Sequence, residues 1–245
     1  MTPSSYQLQP LPLPETVPAG TEVWLLKLNM NVPLSKRDLA LLSEGERLNV
    51  VRLSRHEDRV RSVATRAALR RILASRTGIP PEKLRFIMND YGKPGLFGHF
   101  GLEFNISHSG DFALIALSLS GQVGVDIEYR GREIDIEEMS EYVYSPLERQ
   151  SGLKTAGVFF DHWVAKESVL KALGLGISEH LQTVSILPGG AAGYEIVHER
   201  PDWAEIRAWP IRVPGNYAAA LAWTCPRDRG VSKFSCGPTQ DLISR

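Results

Sequence analysis

Cysteine is scarce: the 245-residue chain has two, Cys225 and Cys236, close together near its end and in no metal-ligand spacing. That argues against a disulfide framework and against a zinc site. No stretch approaches the roughly 20 apolar residues of a membrane span. The first twenty residues carry no Lys or Arg and five prolines, so they lack the basic and apolar regions of a secretory signal. Net charge is absent too, with 28 Lys+Arg against 28 Asp+Glu, which gives no bulk attraction to nucleic acid or to an anionic membrane. Several catalytic signatures are missing: G-x-x-x-x-G-K-[ST], G-x-S-x-G and H-E-x-x-H, so P-loop hydrolysis, α/β-hydrolase chemistry and zincin proteolysis lack support. These absences lead to the expectation of a soluble, cytoplasmic monomer that binds neither nucleic acid nor membrane.

What is present is a chain that is 43% hydrophobic, long enough for a substantial core and for at most about two domains. Residues 1–20 read as a Pro-rich arm without regular structure, because proline removes backbone donors and fixes φ. A strand is predicted over 22–28, helical pieces over 34–54, and a long helix over 56–74, where Val60, Val63, Ala64, Ala67, Leu69, Ile72 and Leu73 recur near a 3.6 period. Gly78 and Pro80 end it. A short strand (85–88), a turn-rich stretch (89–98) and two strands, EFNIS and FALIALSL, follow. The second half repeats this grammar: a strand at 123–128, helical pieces over 135–151, a long helix at 157–173, then strands at 183–187, 206–211 and 217–224. The predicted fold is α+β, two similar α/β halves over 21–122 and 123–225, with a loose tail over 226–245.

Charge is segregated although its total is zero. Residues 52–76 hold eight arginines against Glu57 and Asp58, whereas residues 126–148 hold eight carboxylates against Arg130 and Arg132. Such runs by themselves read first as solvated helix faces of opposite sign; the other reading is the two ends of a polyphosphate site, one cationic and one holding a metal through carboxylates. Asp126-Ile127-Glu128 places two carboxylates on one face of a strand, a workable edge for Mg²⁺ or simply a solvated strand end. In WVAKESVLKALG, Glu167 and Lys171 stand one turn apart, either a surface ion pair or a third carboxylate and a phosphate-neutralising cation.

Taken in order, YGKP, FNISHSG, VGVDIE, SPLE and WVAKESVLKALG closely resemble the motifs of the 4′-phosphopantetheinyl transferases of the two-half, Sfp-type family, over residues 51–176. The resemblance implies an enzyme that moves the 4′-phosphopantetheine arm of coenzyme A onto a serine of an apo acyl or peptidyl carrier protein, releasing adenosine 3′,5′-bisphosphate. It further implies two halves related by a pseudo-two-fold axis, with CoA and Mg²⁺ in the cleft between them. Carried over by motif, Asp126, Glu128 and Glu167 would hold the metal, Glu167 would deprotonate the serine, and Lys171 would steady the pyrophosphate. Arg61, Ser62, Tyr91, Gly92, Lys93, Ser107 and His108 would hold the 3′-phosphate and adenine end of CoA, while Glu148 matches an acidic position without a settled role. Where some relatives place phosphate-binding lysines, this chain has Glu46 and Asn49, with Arg47 or Arg52 as candidate replacements.

Two other classes share these residues: a CoA-binding protein without transferase activity, and a Mg²⁺-dependent phosphohydrolase using water as nucleophile. Retention of the full carboxylate set speaks against the first, and incubation with CoA alone separates the second. The carrier is expected to dock near Leu175, Ile177 and Leu181, which read equally as core residues under the helix end.

Overall fold

The structure, a computed structural model, describes residues 5–98, 101–150, 156–190, 193–201, 203 and 205–225. In chain order its elements are β1 (Tyr6–Pro10), β2 (Thr21–Leu28), α1 (Lys36–Leu39), α2 (Glu44–Arg52), α3 (His56–Thr77), β3 (Phe86–Met88), β4 (Pro94–Leu96), β5 (Glu103–Ser109), β6 (Phe112–Ser118) and β7 (Gln122–Tyr129). There follow α4 (Ile136–Val143), α5 (Pro146–Gln150), α6 (Ala156–Leu173), α7 (Ile177–His180), β8 (Val184–Pro188), β9 (Tyr194–His198), β10 (Ile206–Pro210) and β11 (Tyr217–Thr224). Two antiparallel sheets form, ordered β1-β2-β6-β5 and β7-β11-β10-β9-β8, beside the small hairpin β3-β4.

Alternation along the strands explains the layering. On β6, Phe112, Leu114 and Ala116 point into a core shared with Val123, Val125 and Ile127 of β7 and Leu221 and Trp223 of β11. Its intervening residues, Ala113, Ile115 and Leu117, pack against Ala64, Ala68, Leu69 and Leu73 of α3. On β11, Ala218, Ala220 and Ala222 face Val164, Ala165 and Val169 of α6. The order is therefore helix, sheet, sheet, helix, and both central strands are buried on two faces. That is why FALIALSL and YAAALAWT read as continuous apolar runs rather than alternating ones. Each fully buried Leu or Ile contributes about 1.5–3 kcal/mol.

One departure from expectation has a physical cause. Tyr6–Pro10, expected to lack regular structure, pairs antiparallel with β2, Tyr6 opposite Leu28 and Pro10 opposite Trp24. Its proline sits at the strand's end on the sheet's edge, where a missing N–H costs little. Cys225, just past β11, is disulfide-bonded; a single link at the end of the last strand is not the framework of the fold. The tail expected over 226–245 lies outside the described residues.

One glycine decides how the second half packs. A Cβ on Gly124 would overlap the Ser168 carbonyl oxygen and the Ala172 amide nitrogen. Its absence lets α6 lie directly on β7, which brings Glu167 and Lys171 of the helix beside Asp126 of the strand.

Candidate active site

β5 and β7 are edge strands of the two different sheets, and they meet side by side. Asp126 and Glu128 project from β7 on the face opposite the inter-sheet core that holds Ile127. Asp126 is 1% exposed. Its Oδ1 accepts from Lys171 Nζ at 2.5 Å and from Ser107 Oγ at 2.6 Å. Its Oδ2 is buried and has no hydrogen-bond partner among the described residues. Lys171 also reaches Glu167 Oε2 at 3.3 Å, while Glu128 accepts from Ser109 Oγ at 2.8 Å. The structure thus brings Asp126, Glu128, Glu167, Lys171 and Ser107 together.

The electrostatics follow from this crowding. Burial, followed by the charge of Asp126, pushes the Glu167 carboxyl up to about 7, with Lys171 opposing and Glu128 adding. Glu128 is also raised, by burial and by Asp126. Burial works against the Lys171 ammonium, but Asp126 and Glu167 outweigh it and hold it above its ordinary value. Because the folded-state value of Glu167 lies above that of an unfolded glutamate, its protonation favours the folded state at low pH, and that contribution is lost as pH rises from about 4.5 through 7. In chelator, the melting temperature of wild type relative to Glu167→Gln should therefore fall by several degrees between pH 5 and pH 8. A constant difference across that window contradicts this reading.

The fit of a divalent cation can be judged on the side chains themselves. Among the described residues no group of three or more His, Cys, Asp or Glu is gathered as a preformed metal cage. The reason is visible: the Lys171 ammonium supplies the positive charge between Asp126 and Glu167. The donor set nevertheless fits Mg²⁺, which takes hard oxygens, binds one or two protein carboxylates and completes its shell with water and phosphate. The orphaned Asp126 Oδ2 favours a cation, as do the burial and then the Asp126 charge that raise Glu128 and Glu167.

The cation side is smaller than the arginine count implied. His108 is exposed at the surface, and its pKa is lowered by loss of solvation against its neighbours and by the positive charges of Arg61, Lys171 and Arg66, with its backbone hydrogen bond opposing. Arg61 donates to the Gly110 carbonyl at 3.2 Å and to Asp58 at 2.6 Å, which fixes it over the turn after His108. Ser62 is half-buried on the same helix. Arg66, which the sequence did not single out, has its pKa lowered chiefly by burial.

Lys93 is held elsewhere. Its Nζ donates to Gln122 Oε1 and the Val123 carbonyl, both at 3.1 Å, at the start of β7, and to the Ala172 carbonyl at 3.4 Å. Gly92 permits the turn before it with φ +78°, and half-exposed Tyr91 sets its ring edge-on to His180. Of the residues in the place of phosphate-binding lysines, Glu46 caps α2 with Ser43 and binds buried Arg70 at 2.7 Å. Arg47 donates to the Leu42 carbonyl, and Arg52 and Asn49 are exposed.

Glu148, whose role the motif left open, is not among these groups. It is fully buried against Lys166 at 2.5 Å, accepts from the Ser145 and Ile186 amides, and joins α5, α6 and β8. Nor do all the expected docking residues face outward: Leu181 is buried in the α6 core and Leu175 packs against it. The side chain of Ile177 lies outside the described residues.

Comparison with known proteins bears on the whole arrangement. Residues 122–222 match the family model of the 4′-phosphopantetheinyl transferase superfamily, and residues 35–120 match that of the 4′-phosphopantetheinyl transferase N-terminal region. A putative 4′-phosphopantetheinyl transferase of Synechocystis is 32% identical over 218 residues, covering 82% of this chain and 86% of that one. The chain belongs to the 4′-phosphopantetheinyl transferase superfamily. Within it, the transferase HetI of Nostoc is 35% identical over 168 residues, covering 64% of this chain and 71% of its own. Sfp of Bacillus subtilis is 28% identical over 165 residues, covering 64% of this chain and 73% of its own. Its membership makes the chain a phosphopantetheinyl-transferring enzyme, and the two family models fall on the two halves. No described helix is long and apolar enough to cross a membrane.

Proposed function

We propose that this transferase takes the 4′-phosphopantetheine arm from coenzyme A and passes it to a serine of an apo acyl or peptidyl carrier protein, in the cytoplasm and as a monomer. The observation that carries the reading is the adjacency of two charge environments at the β5–β7 junction. One is the carboxylate group of Asp126, Glu128 and Glu167 with Lys171, and the other is the cationic surround of His108. In this reading the active site lies between the halves 21–122 and 123–225, and Asp126, Glu128 and Glu167 hold Mg²⁺. Held by these carboxylates, Mg²⁺ would supply positive charge to offset the negative charge that develops on the CoA phosphates.

The chain's own groups do the rest. Lys171 places an ammonium beside the carboxylates, where it can bind a pyrophosphate oxygen and neutralise the leaving group. Glu167, a carboxylate on α6 beside Lys171, is the group placed to accept the serine proton. A serine hydroxyl is a poor nucleophile without such a base. Arg61, Arg66 and His108 form a donor-rich surface for the 3′-phosphate, with Ser62 next to Arg61 on α3, while Tyr91 and Gly92 belong to the turn that packs on His180. Attack on the β-phosphorus then needs no covalent enzyme intermediate.

The test is mass spectrometry of several apo carrier proteins incubated with CoA and Mg²⁺. A phosphopantetheine mass gain on the carrier serine is expected. Hydrolysis of CoA in the absence of any carrier, with no gain on any carrier tried, overturns the reading in favour of a phosphohydrolase. Arg61→Ala and His108→Ala should each raise KM for CoA about tenfold, with a smaller change in kcat, and reduce the preference for CoA over 3′-dephospho-CoA. An unchanged donor preference in both variants removes these residues from the 3′-phosphate site.

A further inference from the structure

The junction between the two sheets is not a backbone ladder. Val125, Ile127 and Tyr129 direct their amides across the β7 edge toward β5, and side chains receive them. Asn105 Oδ1 accepts from the Val125 amide at 3.0 Å, Ser107 Oγ from the Ile127 amide at 3.4 Å, and Ser109 Oγ from the Tyr129 amide at 3.0 Å. The offset is twenty residues at every step, so the strands run in the same direction with short oxygen-bearing side chains in place of backbone carbonyls. Only alternate residues of EFNISHS can do this, since they share one side of the strand.

A hydroxyl that has accepted an amide proton still has one of its own to donate. Ser107 gives its proton to Asp126 Oδ1 at 2.6 Å and Ser109 gives its proton to Glu128 Oε2 at 2.8 Å. Asn105 touches no carboxylate in this set, because the residue beyond Val125 on its side is Gly124, which has no side chain. Each serine is therefore fixed by the β7 backbone and in turn fixes the rotamer of a β7 carboxylate.

We propose that Ser107 and Ser109 are positioning residues for the divalent cation, through which the first half of the chain orients the Asp126 and Glu128 carboxylates of the second. This rests on the assignment of those carboxylates to a metal. Groups that orient metal ligands typically change affinity by 10–100-fold when removed. The serines also leave one oxygen of each carboxylate uncommitted to them, the orphaned Asp126 Oδ2 among these.

The experiment is Mn²⁺ binding by calorimetry to the full chain without CoA or carrier, alongside melting temperature. Ser109→Ala should weaken Mn²⁺ binding about tenfold, and Ser109→Thr, which keeps the hydroxyl, should restore it. Asn105→Ala, which loses an amide acceptor but no carboxylate partner, should lower the melting temperature and leave Mn²⁺ affinity within about twofold of wild type. In the transfer assay Ser109→Ala should raise the Mg²⁺ concentration for half-maximal rate while kcat at saturating Mg²⁺ stays near wild type. Wild-type affinity in Ser109→Ala overturns the proposal and leaves the metal assignment intact, as does an equal loss in Asn105→Ala. If Asn105→Ala does not fold, the Ala-against-Thr comparison at position 109 decides alone. Absence of Mn²⁺ binding by wild type overturns the metal assignment itself and this proposal with it.

Discussion

Glu148→Ala should lower stability by about 3–5 kcal/mol, a fall of roughly 6–20 °C in melting temperature for a chain of this size. Glu148 and Lys166 are both 0% exposed and meet at 2.5 Å. The ammonium completes its shell with the carbonyls of Val143 at 2.6 Å and Leu181 at 2.8 Å. The carboxylate accepts from the amides of Ser145 and Ile186, both at 2.7 Å. Truncating Glu148 leaves a buried ammonium without a counter-charge and exposes two buried amides to no acceptor. Burial already lowers the pKa of Lys166, and Glu148 is the chief group raising it. In the variant that value drops further, and a lysine depressed below its unfolded value loses its stability penalty as pH rises through the folded pKa and the ammonium becomes neutral. The deficit should therefore shrink at pH 9 relative to pH 7. Pairing Glu148→Leu with Lys166→Met should recover much of the loss, since neither charge then remains buried alone. A variant Glu148→Ala as stable as wild type but unable to transfer would place this residue in catalysis instead.

That pair also illustrates which parts of the molecule can be read from its sequence. The long helices and the main strands are legible because their burial is regular: α3 buries a face at 3.6-residue spacing, and β6 and β11 are buried on both sides. Tyr194–His198 is not foreseen, because an edge-side strand of mixed polarity takes its conformation from its neighbours β8 and β10. Tyr6–Pro10 is hidden for the same reason, the prolines around it arguing for a free arm until β2 offers an edge. At the site, motif order identifies the residues but not their duties. The motif does not reveal that the Ser107 hydroxyl donates to Asp126. Nor does it reveal that Lys93 binds Gln122 and two backbone carbonyls. The alternation of Asn105, Ser107 and Ser109 is visible in the sequence as polar residues at every second position. Its partner twenty residues away is not, because the pairing joins edges of two sheets.

Asp126→Ala should reduce transfer by about a thousandfold or more, whereas Lys171→Met should also abolish most transfer but bind Mn²⁺ at least as tightly as wild type. The two residues touch at 2.5 Å, so loss of either disturbs the other, and activity alone cannot separate them. Metal binding can. Removing Asp126 takes away the one carboxylate that contacts both Ser107 and Lys171, and with it a buried oxygen that has no partner among the described residues. Removing Lys171 instead takes a positive charge out from between Asp126 and Glu167, leaving uncompensated carboxylates that repel one another until a cation arrives. The first change should therefore weaken Mn²⁺ binding and the second should strengthen it, while Mn²⁺ should stabilise Lys171→Met against heat more than it stabilises wild type. Near-normal turnover by Asp126→Ala at millimolar Mg²⁺ would remove Asp126 from the metal. Equal weakening of Mn²⁺ binding in both variants would mean that Lys171 orients the carboxylates for the metal rather than competing with it for their charge.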